Sequence, residues 1–265
     1  MAQLQSNFDF TGKLGNVSAY KRRDTGKIIL RTKGGPTKHQ FETHANFKMA
    51  RRHSSEFGGR ATGCKMIRRM LHPVLELGDY NSAGPIIALI KPIQALDTAH
   101  DLGERDILFS KDSSLLNGFN LNKRTLFESI VRNPLSFSLD RKTLSGTIEI
   151  PQLIPGINFI NPGKHAFFGL VAAIGVIPDV LYSKDGYRCC WGKDEPWGSQ
   201  WVVSEWFSSL EGSKPFTLSV QYTQPVLDQS FALMLSVGIK FGTMGIGGAI
   251  QQVPHAGAGK ILITA

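Results

Sequence analysis

The chain has 265 residues, 42% of them hydrophobic and 19% charged, a composition that excludes a disordered polymer and is long enough for a substantial core. Its net charge of +9 is unevenly placed: residues 1–72 hold 15 Lys and Arg against 4 Asp and Glu, whereas residues 73–265 hold 15 against 17. Such asymmetry points to a basic, partner-binding segment attached to a near-neutral body.

No stretch approaches the roughly 18 apolar residues of a spanning helix, so no membrane span is expected. The opening Met1–Phe10 lacks the charged and apolar regions of a secretory signal, which leads to the expectation of a cytoplasmic origin. The cysteines are Cys64, Cys189 and Cys190. An odd count with one adjacent pair is not a disulfide framework, and no C-x-x-C pairs offer zinc four ligands. Buried or idle thiols are the expectation.

Residues 11–35 predict a β-hairpin. Asn16–Tyr20 alternates polar and apolar residues, Asp24-Thr25-Gly26 supplies the turn, and Lys27–Arg31 returns. An isolated hairpin is marginal in water, so this one is expected to pack on its own body or on a neighbouring subunit. Residues 37–72 predict helix, with Phe57, Ala61, Cys64, Ile67 and Leu71 forming an apolar stripe. Arg60, Lys65, Arg68 and Arg69 fall largely outside that stripe, and Gly58-Gly59 is expected to kink or interrupt the helix. A second helix is expected over about Pro85–Leu96, with Pro85 in its first turn and its continuation past Pro92 open.

From about Phe119 the period changes to two. Leu135–Leu139 and Gly146–Ile150 alternate around a turn at Asp140–Thr143. Further strands are predicted at Ala166–Ile174, Gln200–Trp206, Phe216–Tyr222, Ala232–Phe241 and Lys260–Thr264. The fold class is therefore α+β: an N-terminal β-hairpin arm and helices, followed by an antiparallel β-sandwich or barrel. The expected domains are a basic hairpin arm at 1–36, a mainly helical segment at 37–118 and a β-rich body at 119–265.

Gly12-Lys13-Leu14-Gly15-Asn16-Val17-Ser18-Ala19-Tyr20-Lys21, followed by Arg31 and Lys33-Gly34-Gly35, resembles the opening of uncharacterised Bacteroidota hypothetical-protein families. Thr43–Arg52, Ser54–Gly58 and the closing Ser236–Gly242 are similar to other parts of those proteins. The resemblance covers about a third of the chain in patches, and it implies no activity and no catalytic residue.

Motifs of chemistry are weak. Gly257-Ala258-Gly259-Lys260 lacks the spacing and the Ser or Thr of a phosphate loop and is expected to be a surface turn before a final strand. Gly242–Gly248 is glycine-rich between two strands, which fits a hairpin loop or an assembly contact and not a dinucleotide site. The seven histidines form no H-E-x-x-H pair, and His100-Asp101 is read as adjacent by chance. No catalytic, cofactor-binding or metal-ligating residue is assigned, and an enzyme without a readable motif ranks lowest among the functional readings.

Two clusters remain. Trp191, Trp197, Trp201 and Trp206 are candidates for core packing, for an interface or for ligand stacking. The basic residues Lys21, Arg22, Arg23, Lys27, Arg31, Lys33, Arg51, Arg52, Arg60, Lys65, Arg68 and Arg69 are candidates for phosphate contacts, for docking onto a neighbouring copy, or for a solvated face. The leading expectation is a self-assembling structural protein, a homo-oligomer such as a filament, tube or shell formed through the basic arm. The alternative is a protein that binds or coats nucleic acid without sequence preference.

Overall fold

The computed structural model describes residues 2–3, 10–22, 25–32, 34–192, 196 and 198–265. The chain divides into two compact units, Met1–Arg51 and Arg52–Ala265.

The first unit contains a small antiparallel sheet. Its strands are β1 (Ala2–Gln3), β2 (Gly12–Leu14), β3 (Val17–Lys21) and β4 (Ile28–Thr32), in the order β1-β4-β3-β2. The β3–β4 hairpin is the one the alternation predicts. The hairpin is not isolated, because β2 pairs with β3 and β1 with β4. β2 escapes sequence reading because it is three residues long. Gly15 (φ +54°) makes the two-residue turn that folds it back, a conformation glycine reaches without steric cost.

Beyond the sheet, α1 (Lys38–Thr43) begins with a capping box: the Gln40 amide donates to Thr37 Oγ1 at 3.2 Å and the Thr37 amide to Gln40 Oε1 at 2.9 Å. The backbone becomes extended at His44, passes through a 3-10 turn at Ala45–Phe47 and enters α2 (Lys48–Met70). The predicted helix is thus broken at His44 and runs unbroken through Gly58-Gly59, the reverse of the expectation. Gly59 and Gly63 face the rings of Tyr187 and Phe109, so their missing side chains admit close neighbours instead of breaking the helix.

The predicted stripe also shifts. Phe57 is 54% exposed, while Glu56, Gly59, Arg60, Gly63, Cys64, Met66, Ile67 and Met70 are buried. Charge at positions 56 and 60 hides the true buried face from a hydrophobic pattern. After α3 (His72–Leu75), α4 (Ala83–Ala95) covers the second predicted helix and continues past Pro92. A short α5 follows at Phe127–Ile130.

The body contains the predicted strands. β5 (Ser136–Asp140) and β6 (Ser145–Ile150) pair across the Asp140 turn, and β12 (Phe216–Gln221) completes a three-stranded antiparallel sheet. The central sheet has the order β10 (Gln200–Val203), β7 (Phe167–Pro178), β13 (Phe231–Met244), β14 (Ile250–Thr264), with β11 (Phe207–Ser208) also on β7. A hairpin of β8 (Val180–Ser183) and β9 (Gly186–Cys189) lies outside the predicted strands. Among the described residues no sheet closes into a barrel.

Both faces of the central sheet are covered. Gly175 faces Met70, Gly238 faces Val74 and Leu77, and Gly259 faces Val74 and Leu121, which lets α2 and α3 lie directly on one face. On the other face, Gly146 of β6 meets Leu235 of β13. Phe159, Phe168, Phe207 and Phe216 pack there in a chain of ring contacts 4.2–5.4 Å apart. Strands buried on both faces read as continuous apolar runs, as β7 and most of β13 do. Gly257–Lys260 is no surface turn: it lies inside β14, which extends to fifteen residues by pairing along β13. Gly242–Gly248 does lie where two strands meet, ending β13 and leading into β14. No helix among the described residues is long and apolar enough to cross a membrane.

Candidate anion-binding face

In an antiparallel sheet, directly opposed residues project from the same face. Lys13 of β2 opposes Ser18 of β3, and Ser18 opposes Arg31 of β4. The register therefore sets two cations and a hydroxyl in one row across three strands. Tyr20, two residues beyond Ser18, shares that face. The Arg31 guanidinium lies 5.7 Å from the Tyr20 ring centroid, and its Nε donates to Ser18 Oγ at 3.4 Å. Both cations and the tyrosine are exposed.

Beside the row is a groove of about 360 Å³ where the Gly15 turn meets the end of β4, lined by Lys13, Gly15, Val17, Ser18, Arg31, Thr32 and Gly34. The glycines expose backbone there, and Ser18 and Thr32 add hydroxyls. Among the described residues of this unit Glu42 is the sole carboxylate, and it lies 3.8 Å from Lys38 on α1. Among those residues, the cations of the sheet therefore have no carboxylate on the sheet to neutralise them. Exposed cations beside hydroxyl donors and an aromatic ring suit a phosphate-bearing ligand.

Lys21, Arg22 and Lys27 surround the β3–β4 turn and are exposed, and Arg23 and Lys33 lie outside the described residues. The remaining cationic candidates are not on this face. Arg51 donates to the Phe41 and His44 carbonyls at 2.6 and 3.0 Å, satisfying the C-terminal end of α1. Arg52 lies 3.8 Å from Asp101. Arg68 donates to Asn81 and Arg69 to the Pro196 carbonyl, each at 2.9 Å. Lys65 is exposed on α2. Arg60 is a correction to the outward reading: it is buried, 3.5 Å from Glu56 and donating to Gln94 Oε1 at 2.9 Å.

The three described tryptophans differ in their surroundings. Trp191 is buried, donating to Asp228 Oδ1 at 2.9 Å and meeting Phe231 edge-on. Trp206 lies under the Lys240 ammonium at 4.5 Å. Trp201 is 55% exposed on β10, and Trp197 lies outside the described residues.

A different group gathers Asp97, His100 and Asp106, with ligand atoms within 4.8 Å of one another. His100 has a partner, though not the adjacent Asp101: its Nδ1 lies 2.7 Å from Asp97 Oδ2. That contact, with the charges of Asp97, Asp106 and Glu104, raises the imidazole above its ordinary range. Burial alone would raise Asp97, but bonds from His100 and from the Asp106 and Ala99 amides hold it below the usual carboxylate value. With both Asp97 oxygens committed to these donors, the group fastens a loop.

Lys13 and Ser18 escape the sequence reading as site residues. The signal that would have found them is the Gly15-Asn16 turn between Lys13-Leu14 and Val17-Ser18. Comparisons with family models, with curated proteins and with solved structures find no match.

Proposed function

We propose that the N-terminal unit binds the phosphate backbone of a nucleic acid without sequence readout. The observation that carries this reading is the row Lys13–Ser18–Arg31 across three strands, flanked by Tyr20 and opposed by no carboxylate on the described sheet. Residues 1–51 hold ten Lys and Arg against three Asp and Glu, which concentrates positive potential on a small surface. One exposed tyrosine supports stacking of a single base at most, so affinity rests on phosphate contacts. Anisotropy titration of a random-sequence oligonucleotide at several salt concentrations tests the reading. Steep salt dependence is expected, with weaker binding and a shallower slope in the K13A/R31A double variant. Salt-independent binding, or none at low salt, rejects it.

Self-assembly is the second reading, and its support lies in the body. β10 ends the central sheet, and among the described residues no strand pairs with its outer edge. Trp201 and Val203 on that strand are 55% and 41% exposed. An unpaired edge with apolar side chains is a template for strand addition by a second copy. Sedimentation of the W201S/V203S variant against the parent protein tests this: a smaller species is expected, and a monomeric parent rejects it.

A further inference from the structure

We propose that Lys240 is a reactive amine that condenses with a small aldehyde to form a Schiff base. Lys240 lies on β13, the inner strand that pairs with both β7 and β14. Its partners across the two ladders, Gly169 and Gly257, are both glycines, so no side chain stands directly opposite it on either neighbouring strand. The β13–β14 ladder shifts register between Lys240 and Gly242, an irregularity of the kind that redirects a side chain. The lysine stem crosses the bare backbone of Gly169: a β carbon there would sit 3.4 Å from both Lys240 Cε and the Glu205 carbonyl oxygen. The ammonium ends 4.5 Å from the Trp206 ring centroid.

What the amine lacks is a counter-charge. Among the described residues no carboxylate pairs with Nζ and no hydrogen bond reaches it. Ser204 Oγ, beside the stem, is committed: it donates to the Glu205 carbonyl at 2.7 Å and accepts from the Leu170 amide at 2.9 Å. Lys240 and Trp206 are both half-buried, which leaves a side open to a small molecule. Burial with no counter-charge pushes the lysine below its ordinary value and so raises its free-amine fraction at neutral pH. Two other lysines serve as internal references. Lys260 on β14 is also half-buried but is paired with Glu128, and Lys123 lies 4.6 Å from the Tyr80 ring centroid but is exposed.

The lone pair of the neutral Nζ attacks the aldehyde carbon. A C–N bond forms, the carbonyl π bond breaks, and a proton passes from nitrogen to oxygen to give a carbinolamine. The hydroxyl then takes up a proton and leaves as water, and the nitrogen retains one hydrogen in a cationic C=N bond. The ammonium and the aldehyde thus become an iminium and water, with one positive charge on each side. The face of Trp206 attracts the iminium as it does the ammonium.

The test incubates the folded protein with benzaldehyde and sodium cyanoborohydride at pH 7. The reductant delivers hydride to the C=N carbon and fixes the adduct as a benzylamine. Time points are digested and mapped by mass spectrometry, comparing lysines only, since α-amino groups titrate near neutrality. Lys240 is expected to be benzylated at least about tenfold faster than Lys123 and Lys260, because free amine rises about tenfold for each unit of pKa lowering. In urea that preference should vanish. Equal rates in the folded protein, or a preference that persists in urea, overturns the proposal. In the K240R variant the fast adduct should be absent, and its persistence in a variant that melts like the parent also overturns the proposal. Mapping of the parent protein decides the matter even where K240R does not fold.

Discussion

The α carbon of Gly59 lies so close to Tyr187 that a methyl group there would sit 2.6 Å from the ring's Cδ1. The ring is fixed by its hydroxyl, which lies 3.3 Å from both the Gly103 carbonyl and Gln94 Nε2. Gly58, one residue earlier, has no atom within 4 Å of the same position. The two glycines should therefore respond oppositely to one substitution. Gly59→Ala is expected to cost about 1–3 kcal/mol through overpacking. Gly58→Ala is expected to stabilise by about 0.5–1 kcal/mol, since alanine is the better helix former. Thermal melts of the two variants check the pair, and equal shifts of the same sign would contradict the packing.

Arg60 and Glu56 give the second prediction. Glu56 is buried, accepts from the Gly103 amide at 3.1 Å and has Arg105 at 3.8 Å as its second cation. Removing Arg60 leaves that carboxylate and Gln94 short of a partner. Arg60→Ala should cost about 3–5 kcal/mol, as expected when one member of a buried pair is removed. Lys65→Ala, on the exposed side of the same helix, should change stability by less than about 0.5 kcal/mol. Denaturant unfolding of both variants measures the difference.

The third prediction concerns pH. His100 titrates above its ordinary value because Asp97 accepts its hydrogen bond, so its contribution to stability is complete below the unfolded value of 6.5 and is lost as pH rises through the folded value. Asp97 titrates below its ordinary 3.8, so its contribution is present above that value and is lost as pH falls through the folded one. The loop from Asp97 to Asp106 should be held most firmly between about pH 4 and 6.5. An NMR titration of the His100 ring should give a midpoint above 6.5 that falls in Asp97→Asn. A midpoint at or below 6.5 would show that the His100–Asp97 hydrogen bond does not form in solution.

The fourth prediction separates the cations of the sheet from those of the helices. For duplex DNA, each phosphate that the protein no longer neutralises should flatten the log–log salt slope by about 0.9. The K13A/R31A variant should therefore bind all sequences more weakly and with a shallower slope. Replacing Arg51, Arg52, Arg68 and Arg69 together should instead lower the melting temperature, because each reaches a carbonyl, an amide or a carboxylate of its own unit. A lowered salt slope in the quadruple variant with the melting temperature unchanged would reverse that assignment.

Local pattern alone determined a good deal of this protein. Alternation at Asn16–Tyr20 and Lys27–Arg31, and again at Leu135–Leu139 and Gly146–Ile150, specified two hairpins, because period two and a turn signal are properties of neighbouring residues. Apolar runs at Ala166–Ile174 and Ala232–Phe241 located the central strands, and the excess of Lys and Arg located the basic unit. Tertiary structure decided the rest. Whether Arg60 points inward depends on Glu56 and on Gln94, thirty-four residues away, and no local pattern carries that distance. The row Lys13–Ser18–Arg31 exists only once β2 pairs with β3, and three residues are too short a strand to announce themselves. Gly59 reads as a breaker because propensity is local, but the ring that occupies its empty side arrives from Tyr187, far along the chain. Packing partners remote in sequence converted a helix-weakening residue into a close neighbour of that ring and an outward-looking arginine into part of the interior.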